Sequence, residues 1–429
     1  MTSSAIGRET GTSFDINWVR AQFPALKQAA NGRTAAFLDA PAGTQVPQRV
    51  IDAVRDYFEQ SNANTLGAFA TSRRTDAMIL SARAAMADFF NCAPDEVFFG
   101  PNMTTIAFAL ARAIGRELAP GDEIVVTTLD HDANVAPWRA LEERGIVVRQ
   151  VDIREEDCTL DLDDLHRKLT PRTRLVAVGY ASNAVGTINP VDEIVRLAHE
   201  AGALAFIDAV HYSPHGRIDV RELNCDFLAC SPYKFFGPHM GCIYGKREHL
   251  LRFRPYKVRP APDTVPERWE TGTLVHEGLA GVAAAVDYLA DVGRRCAPGS
   301  AATRRAALTS AYRAIRLYEM DLAARMIRGL VEIPGLRFYG ISDPSRFAER
   351  VPTVGVRLAN HTPLEAATFL GDRGIFTWDG NYYALNLTER LGVENDGGLL
   401  RIGLVHYNTA EEVDRLLAAL RELVSSASK

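Results

Sequence analysis

The feature that most constrains the fold is a series of short apolar runs, each closing on a polar residue, with amphipathic segments between them. Residues 123–128, 174–179 and 203–208 read as buried strands, and 162–169 and 191–201 as the helices between them. Strands alternating with helices specify a mostly parallel sheet, whose ligand crevice lies at the carboxyl ends of the strands. His131, Asn183, Asp208 and Lys234 all fall at or just after such ends.

With 429 residues, 47% of them hydrophobic, the chain can bury a substantial core, and a large domain with a smaller one is expected. A formal net charge of −5 gives no field that would draw nucleic acid or an anionic membrane, and the ten histidines show no ligand-like spacing. No metal site is expected. No apolar stretch approaches the roughly 20 residues that cross a bilayer, and residues 1–15 are polar. A soluble, cytoplasmic protein is expected. Cys92, Cys158, Cys225, Cys230, Cys242 and Cys296 show no CxxC spacing and read as reduced thiols.

Along the chain, residues 1–12 are rich in Ser, Thr and Gly and are expected to be mobile. Residues 15–27 read as a short helix, 37–44 as a strand passing into a small-residue turn, 46–60 as an amphipathic helix, and 62–71 as a loop over a cleft. A helix at 76–91, a strand at 96–100 and a helix at 106–118 follow, with another strand at 147–153. Beyond the proline-rich 255–266 come helices at 280–292 and 301–331, then strands at 336–338, 353–358, 374–377 and 400–404 and a closing helix at 411–423. The domains expected are an N-terminal segment 1–35 packing with the small domain, a large domain 36–290 and a small C-terminal domain 291–429.

The chemistry begins with Asp208 and with Lys234 in Ser231-Pro-Tyr-Lys234-Phe-Phe-Gly. A buried aspartate and a lysine brought to one pocket suit pyridoxal phosphate: the lysine forms the Schiff base, and the carboxylate keeps the pyridine nitrogen protonated. The plainer reading makes Asp208 a helix cap and Lys234 a solvated loop charge. Pro101-Asn-Met-Thr104-Thr105 joins a strand to a helix, and free amides, the helix dipole and two hydroxyls there favour an anion such as phosphate; a plain threonine N-cap is the alternative.

With these residues in view, the chain resembles the class V aminotransferases, and in particular their cysteine desulfurase and selenocysteine lyase branch. The likeness runs from Phe37-Leu-Asp to Tyr407-Asn-Thr409. It implies the pyridoxal phosphate-dependent fold type I, with a mostly parallel seven-stranded-type sheet in the large domain and a smaller α/β C-terminal domain. Asp130-His131-Asp-Ala-Asn is similar to the segment whose histidine stacks on the pyridine face, and Ser182-Asn183 to the one whose asparagine meets the ring hydroxyl. The resemblance assigns Asp208 to the pyridine nitrogen, Lys234 to the Schiff base, and Thr104, Thr105 and Ser231 to the phosphate. Gly272-Thr273 resembles a segment that reaches the phosphate of a neighbouring subunit, which implies a homodimer with shared sites. Arg401 matches the arginine that grips the substrate α-carboxylate, a pairing that the guanidinium fork makes bidentate.

Departures from the family pattern bear on the reaction. Desulfurases carry a mobile-loop cysteine that takes sulfur as a persulfide; here Gly374-Ile-Phe-Thr-Trp378-Asp-Gly-Asn381-Tyr382-Tyr383 has Tyr383 in that place, and no cysteine follows Cys296. Tyr233 replaces a histidine before the lysine, and His211 stands where glutamine is usual. The expectation is a C–S (β) lyase acting on L-cysteine or an S-substituted cysteine, with Trp378, Asn381, Tyr382 and Tyr383 lining a pocket for the substituent. Ordinary core packing is the alternative for that aromatic cluster. An aminotransferase, an epimerase and a desulfurase using an external thiol share the first steps and stay open.

Overall fold

The computed structural model describes residues 14–299 and 301–426; the expected mobility of residues 1–12 falls outside them. The large sheet comprises β1 (Val97–Gly100), β2 (Glu123–Thr127), β3 (Val147–Val151), β4 (Thr173–Gly179), β5 (Leu204–Asp208), β6 (Phe227–Cys230) and β7 (Gly241–Gly245). Their spatial order is β1-β7-β6-β5-β4-β2-β3. β7 runs antiparallel to both of its neighbours and the remaining pairings are parallel.

The continuous apolar runs follow from burial on both faces. Val125, Val176, Val178, Ala205 and Ile207 join one buried cluster, while Ile124, Val126, Leu175, Ala177 and Phe206 join the other. A strand covered on both sides has no polar face to alternate with. Helix α1 (Met103–Gly115) covers one face through Ile106, Leu110 and Ile114, and α2 (His276–Cys296) covers the other through Leu279, Val282, Val286 and Leu289. Gly241 lets β7 meet the start of α1: a Cβ there would lie 2.3 Å from the Asn102 carbonyl carbon and 2.6 Å from the Met103 nitrogen.

The small sheet, β8 (Leu336–Tyr339), β9 (Thr353–Leu358), β10 (Trp378–Gly380) and β11 (Leu399–Gly403), is antiparallel in the order β8-β9-β11-β10. Helices α3 (Arg304–Val331) and α4 (Ala410–Ser426) back it, with Met326, Leu330, Leu416 and Leu420 packed against Val354, Val356, Leu400 and Ile402.

Two buried polar ties join the sheets. His211 Nε2 lies 3.0 Å from Thr353 Oγ1. Arg350, 1% exposed, donates to the carbonyls of Thr353 at 2.5 Å, Val185 at 3.2 Å and Ile341. The described part of the N-terminal segment touches both bodies. Phe14 stacks on Tyr318 and Arg20 pairs with Glu412, while Phe23 meets Phe236 edge-on.

The structure departs from the sequence expectations in several places. The expected helix at 15–27 splits into Ile16–Ala21 and a 3-10 turn Pro24–Lys27, because Pro24 has no N–H to continue the ladder. Ile375–Phe376 pairs in parallel with Ala36–Phe37 outside the small sheet, whose fourth strand is β10. Residues 62–71, expected as a loop over a cleft, do not line the cavity of their own chain. The Leu66 N–H bonds Asp76 and the Gly67 N–H bonds Ser72 Oγ at 2.6 Å, folding the loop onto its own following helix, Ala70–Phe90.

Candidate active site

A cavity of about 1120 Å³ opens at the carboxyl ends of the large-sheet strands and is closed on its far side by β10 and β11. Thr104, His131, Asn183, Asp208, His211, Ser231, Tyr233, Lys234, Trp378, Asn381, Tyr382, Tyr383 and Arg401 all line it, and none of residues 62–71 does.

Lys234 sits in a 3-10 turn just past β6, where Pro232 starts the turn. Its Nζ donates to the Pro41 carbonyl and lies 4.7 Å from the Tyr233 ring centroid. Burial, and then the nearby Arg401 charge, bring the amine from 10.5 to about 7, against the opposing pull of Asp208 and Asp39. A substantial neutral fraction near pH 7 makes it a competent nucleophile and base.

Asp208 ends β5, 7% exposed, with Oδ1 accepting from the Val210 N–H at 2.9 Å. Burial raises its pKa to about 6, countered by that bond and by Lys234. A cation facing it would restore its charge. Asp130, which ends the run after β2, lines the same cavity; burial, together with Asp208, raises its pKa to about 8 although the Gly179 N–H bonds it at 2.6 Å. Its neighbour His131 is pulled down to about 4 by burial, then by Lys234 and Arg401. Its Nδ1 accepts from the Ala133 N–H at 3.0 Å, which fixes the proton of the neutral ring on Nε2. The Tyr383 ring stacks on His131 at 5.4 Å.

Arg401 is 4% exposed and has no ion pair among the described residues. Its Nη1 donates to the Asn183 carbonyl at 3.0 Å, and burial lowers its pKa from 12.5 to about 10. Such an arginine lacks a counter-ion that a ligand carboxylate would provide. Asn183 itself donates from Nδ2 to the Tyr382 carbonyl at 2.9 Å, while its buried Oδ1 has no partner.

These residues fit pyridoxal phosphate. The orphaned Asn183 Oδ1 needs a donor, as a ring hydroxyl would supply, and buried Asp208 needs a cation, as a protonated pyridine nitrogen would. Thr104, Ser231 and the amino end of α1 line the cavity where an anion is favoured.

Three sequence candidates lie apart from the cavity walls. The Thr105 N–H is occupied by Asn102 Oδ1 at 2.8 Å, and Gly272 and Thr273 are exposed, ahead of α2. Within the aromatic cluster at 378–383, Trp378 is 50% and Tyr383 71% exposed, whereas Tyr382 is partly buried and packs against the large core cluster. Sequence reasoning missed Pro41, whose contribution is a carbonyl that every residue carries. It also left Asp130 without a role, although that residue follows a buried strand just as Asp208 ends one. Among the described residues no group of three His, Cys, Asp or Glu could hold a metal ion, and no helix is long and apolar enough to cross a membrane.

The family described as Aminotransferase class-V matches residues 36–416. The chain is 33% identical over 427 residues to a cysteine desulfurase of Dickeya dadantii (strain 3937), covering 96% of this chain and 97% of that protein. It is 32% identical over 437 residues to a probable cysteine desulfurase of Mycolicibacterium paratuberculosis, covering 98% of this chain and 60% of that one. The structure of a cysteine desulfurase from Thermococcus onnurineus NA1 superimposes with a TM-score of 0.84 at 27% identity, over 96% of this chain and 98% of the other. One from Escherichia coli gives 0.81 at 26% identity, over 97% and 100%. A match of that extent, on a cavity that fits the cofactor, means that the chain belongs to the class V aminotransferase family of pyridoxal 5'-phosphate enzymes.

Proposed function

We propose that the enzyme is a C–S (β) lyase that releases hydrogen sulfide from L-cysteine or a thiol from an S-substituted cysteine. The observation that carries this reading is the absence of a thiol where sulfur would be handed over. Tyr383, which the sequence resemblance sets in the place of the family's acceptor cysteine, lies at the cavity mouth, and none of the six cysteines lines the cavity. A phenol cannot form a persulfide, whereas a leaving thiolate needs no acceptor on the protein.

When bound, pyridoxal phosphate supplies an electron sink that acidifies the substrate Cα–H. Lys234 would hold the cofactor, and its free amine would take the Cα proton; its depressed basicity keeps it available near neutral pH. Asp208 would pair a protonated pyridine nitrogen, and Asn183 and His211 would serve the ring hydroxyl. Thr104 and Ser231 would serve the phosphate, and Tyr233 shapes the site beside Lys234. Arg401 takes the α-carboxylate, His131 covers the ring face as a neutral imidazole, and Trp378, Asn381 and Tyr383 border the side-chain end. Cleavage of the Cβ–S bond with uptake of one water gives a thiol, pyruvate and ammonium.

We also infer a cytoplasmic homodimer in which Gly272 and Thr273 of one copy complete the phosphate site of the other; their exposure and their absence from the walls of their own cavity support this. The relatives named cysteine desulfurase favour a second reading, in which an external thiol accepts sulfur and alanine is the product. Product analysis by mass spectrometry, with L-cysteine and a panel of S-substituted cysteines, separates the two. Pyruvate, ammonium and a free thiol are expected. Alanine with sulfur on an added thiol would overturn the lyase reading.

A further inference from the structure

Residues 381–384 form a loop that is unusually well fastened for a segment at a cavity mouth. Tyr382 and Tyr383 have φ of +56° and +60°. Two consecutive bulky residues in the left-handed region persist only when surrounding contacts hold them there. Those contacts come from both sheets. On the large-sheet side, Asn183 Nδ2 donates to the Tyr382 carbonyl at 2.9 Å and the Asp132 N–H to the Tyr383 carbonyl at 2.7 Å. On the small-sheet side, the Tyr382 hydroxyl donates to the Leu399 and Trp378 carbonyls, and Asn381 bonds Glu394 at 2.9 Å.

The outcome is a closed triangle around Arg401. Its guanidinium carbon lies 4.0 Å from the Tyr382 ring centroid, its Nη1 bonds the Asn183 carbonyl, and Asn183 in turn holds the Tyr382 carbonyl. A desolvated cation over an aromatic face is held there by the ring's quadrupole. One face of the guanidinium is thus covered and one nitrogen is tied, leaving its remaining planar edge as the fork for a carboxylate. A flexible arginine would have to give up its rotamer freedom on each binding event; this one has given it up in folding.

We propose that Tyr382 is a positioning residue for substrate recognition: its ring, set in place by the strained loop, orients Arg401 for the α-carboxylate and makes residues 381–384 a fixed wall. The proposal rests on Arg401 being the carboxylate-binding residue. It assigns to Tyr382 selection for ligands with a free carboxylate next to the reacting carbon.

The test compares Tyr382→Phe, Tyr382→Leu and Arg401→Gln in the cofactor-loaded enzyme, reading KM and kcat for the turned-over cysteine substrate. It also reads the affinity for propionate, which has a carboxylate and no amine to react, by calorimetry. Loss of the aromatic face returns the guanidinium its rotamer freedom, which predicts a rise in KM and in the propionate Kd of about 3- to 10-fold for Tyr382→Leu, with kcat changed by less than about twofold. Tyr382→Phe loses the hydroxyl bonds but keeps the ring and the bonds from Asn183 and Asp132 to the loop carbonyls, and is expected within about twofold of the parent in both. If Tyr382→Leu does not retain cofactor absorbance, Tyr382→Met takes its place. Unchanged KM and propionate affinity in the non-aromatic variant would overturn the proposal, and so would Tyr382→Phe failing as badly as Tyr382→Leu. Arg401→Gln distinguishes the underlying reading: if it leaves both quantities unchanged, Arg401 does not bind the carboxylate at all.

Discussion

In the cofactor-free protein the Lys234 amine is a thermodynamic cost that the structure allows to be sized. Burial brings it from 10.5 to about 7. Between those values the unfolded chain holds a proton that the folded chain has released, so stability rises with pH across that window. The contribution is complete above 10.5 and is lost as pH falls through about 7. At about 1.4 kcal/mol for each pH unit, the full difference is at most about 5 kcal/mol, and reorientation of Asp39 and Asp208 reduces it. Lys234→Met removes the titrating group while filling similar space. It also strands the Pro41 carbonyl, which costs about 1–3 kcal/mol at every pH. The two effects therefore separate. Urea unfolding of the two apoproteins, from about pH 6 to about pH 10, is expected to show the variant gaining most on the parent below about pH 7. The gain should shrink steadily above that, leaving only the constant penalty. A difference between variant and parent that does not change with pH would refute the claim that the amine sits in a desolvated site.

Three further outcomes follow. Gly241→Ala forces the start of α1 away from β7, because the new Cβ would lie 2.3 Å from the Asn102 carbonyl carbon; a loss of about 1–3 kcal/mol in urea unfolding and at least tenfold weaker pyridoxal phosphate binding are expected. Unaltered cofactor binding would remove α1 from the phosphate site. Tyr383→Cys puts a thiol at an exposed position beside His131, and incubation with L-cysteine is expected to add the mass of one sulfur to some of the protein; no such species would mean that residue 383 does not occupy the acceptor position. Thr353→Val leaves His211 Nε2 without its partner in a buried site, and a loss of about 1–3 kcal/mol is expected in urea unfolding.

How much of this was legible in the sequence depended on how local the cause was. The strands at 123–127 and 204–208 are buried on both faces, so composition alone marks them. By contrast β7, Gly-Cys-Ile-Tyr-Gly, is bounded by glycines, and β10 is three residues that become a strand only by pairing with β11. The residues that gather in the cavity were found because strand ends mark it: His131, Asn183, Asp208 and Lys234 come from separate strand-end segments and meet. Thr105, Gly272 and Thr273 do not join them within one chain. Neither the Pro41 carbonyl nor the pose of Tyr382 carries a sequence signal. The first is backbone, and the second is a left-handed conformation imposed by bonds from residues about 200 positions away in sequence.

The polar ties between the two sheets lie next to the groups that hold ligands. His211 lines the cavity and is bound to Thr353, which lies behind the lining; Arg350 fastens the Val185 carbonyl, two residues beyond Asn183, to the same strand. Occupancy of the cavity is therefore coupled to the local opening of β9, a strand that supplies no lining residue. Amide hydrogen exchange at residues 353–358 should slow when pyridoxal phosphate is added to the apoprotein, so that a strand outside the cavity reports whether the cavity is filled.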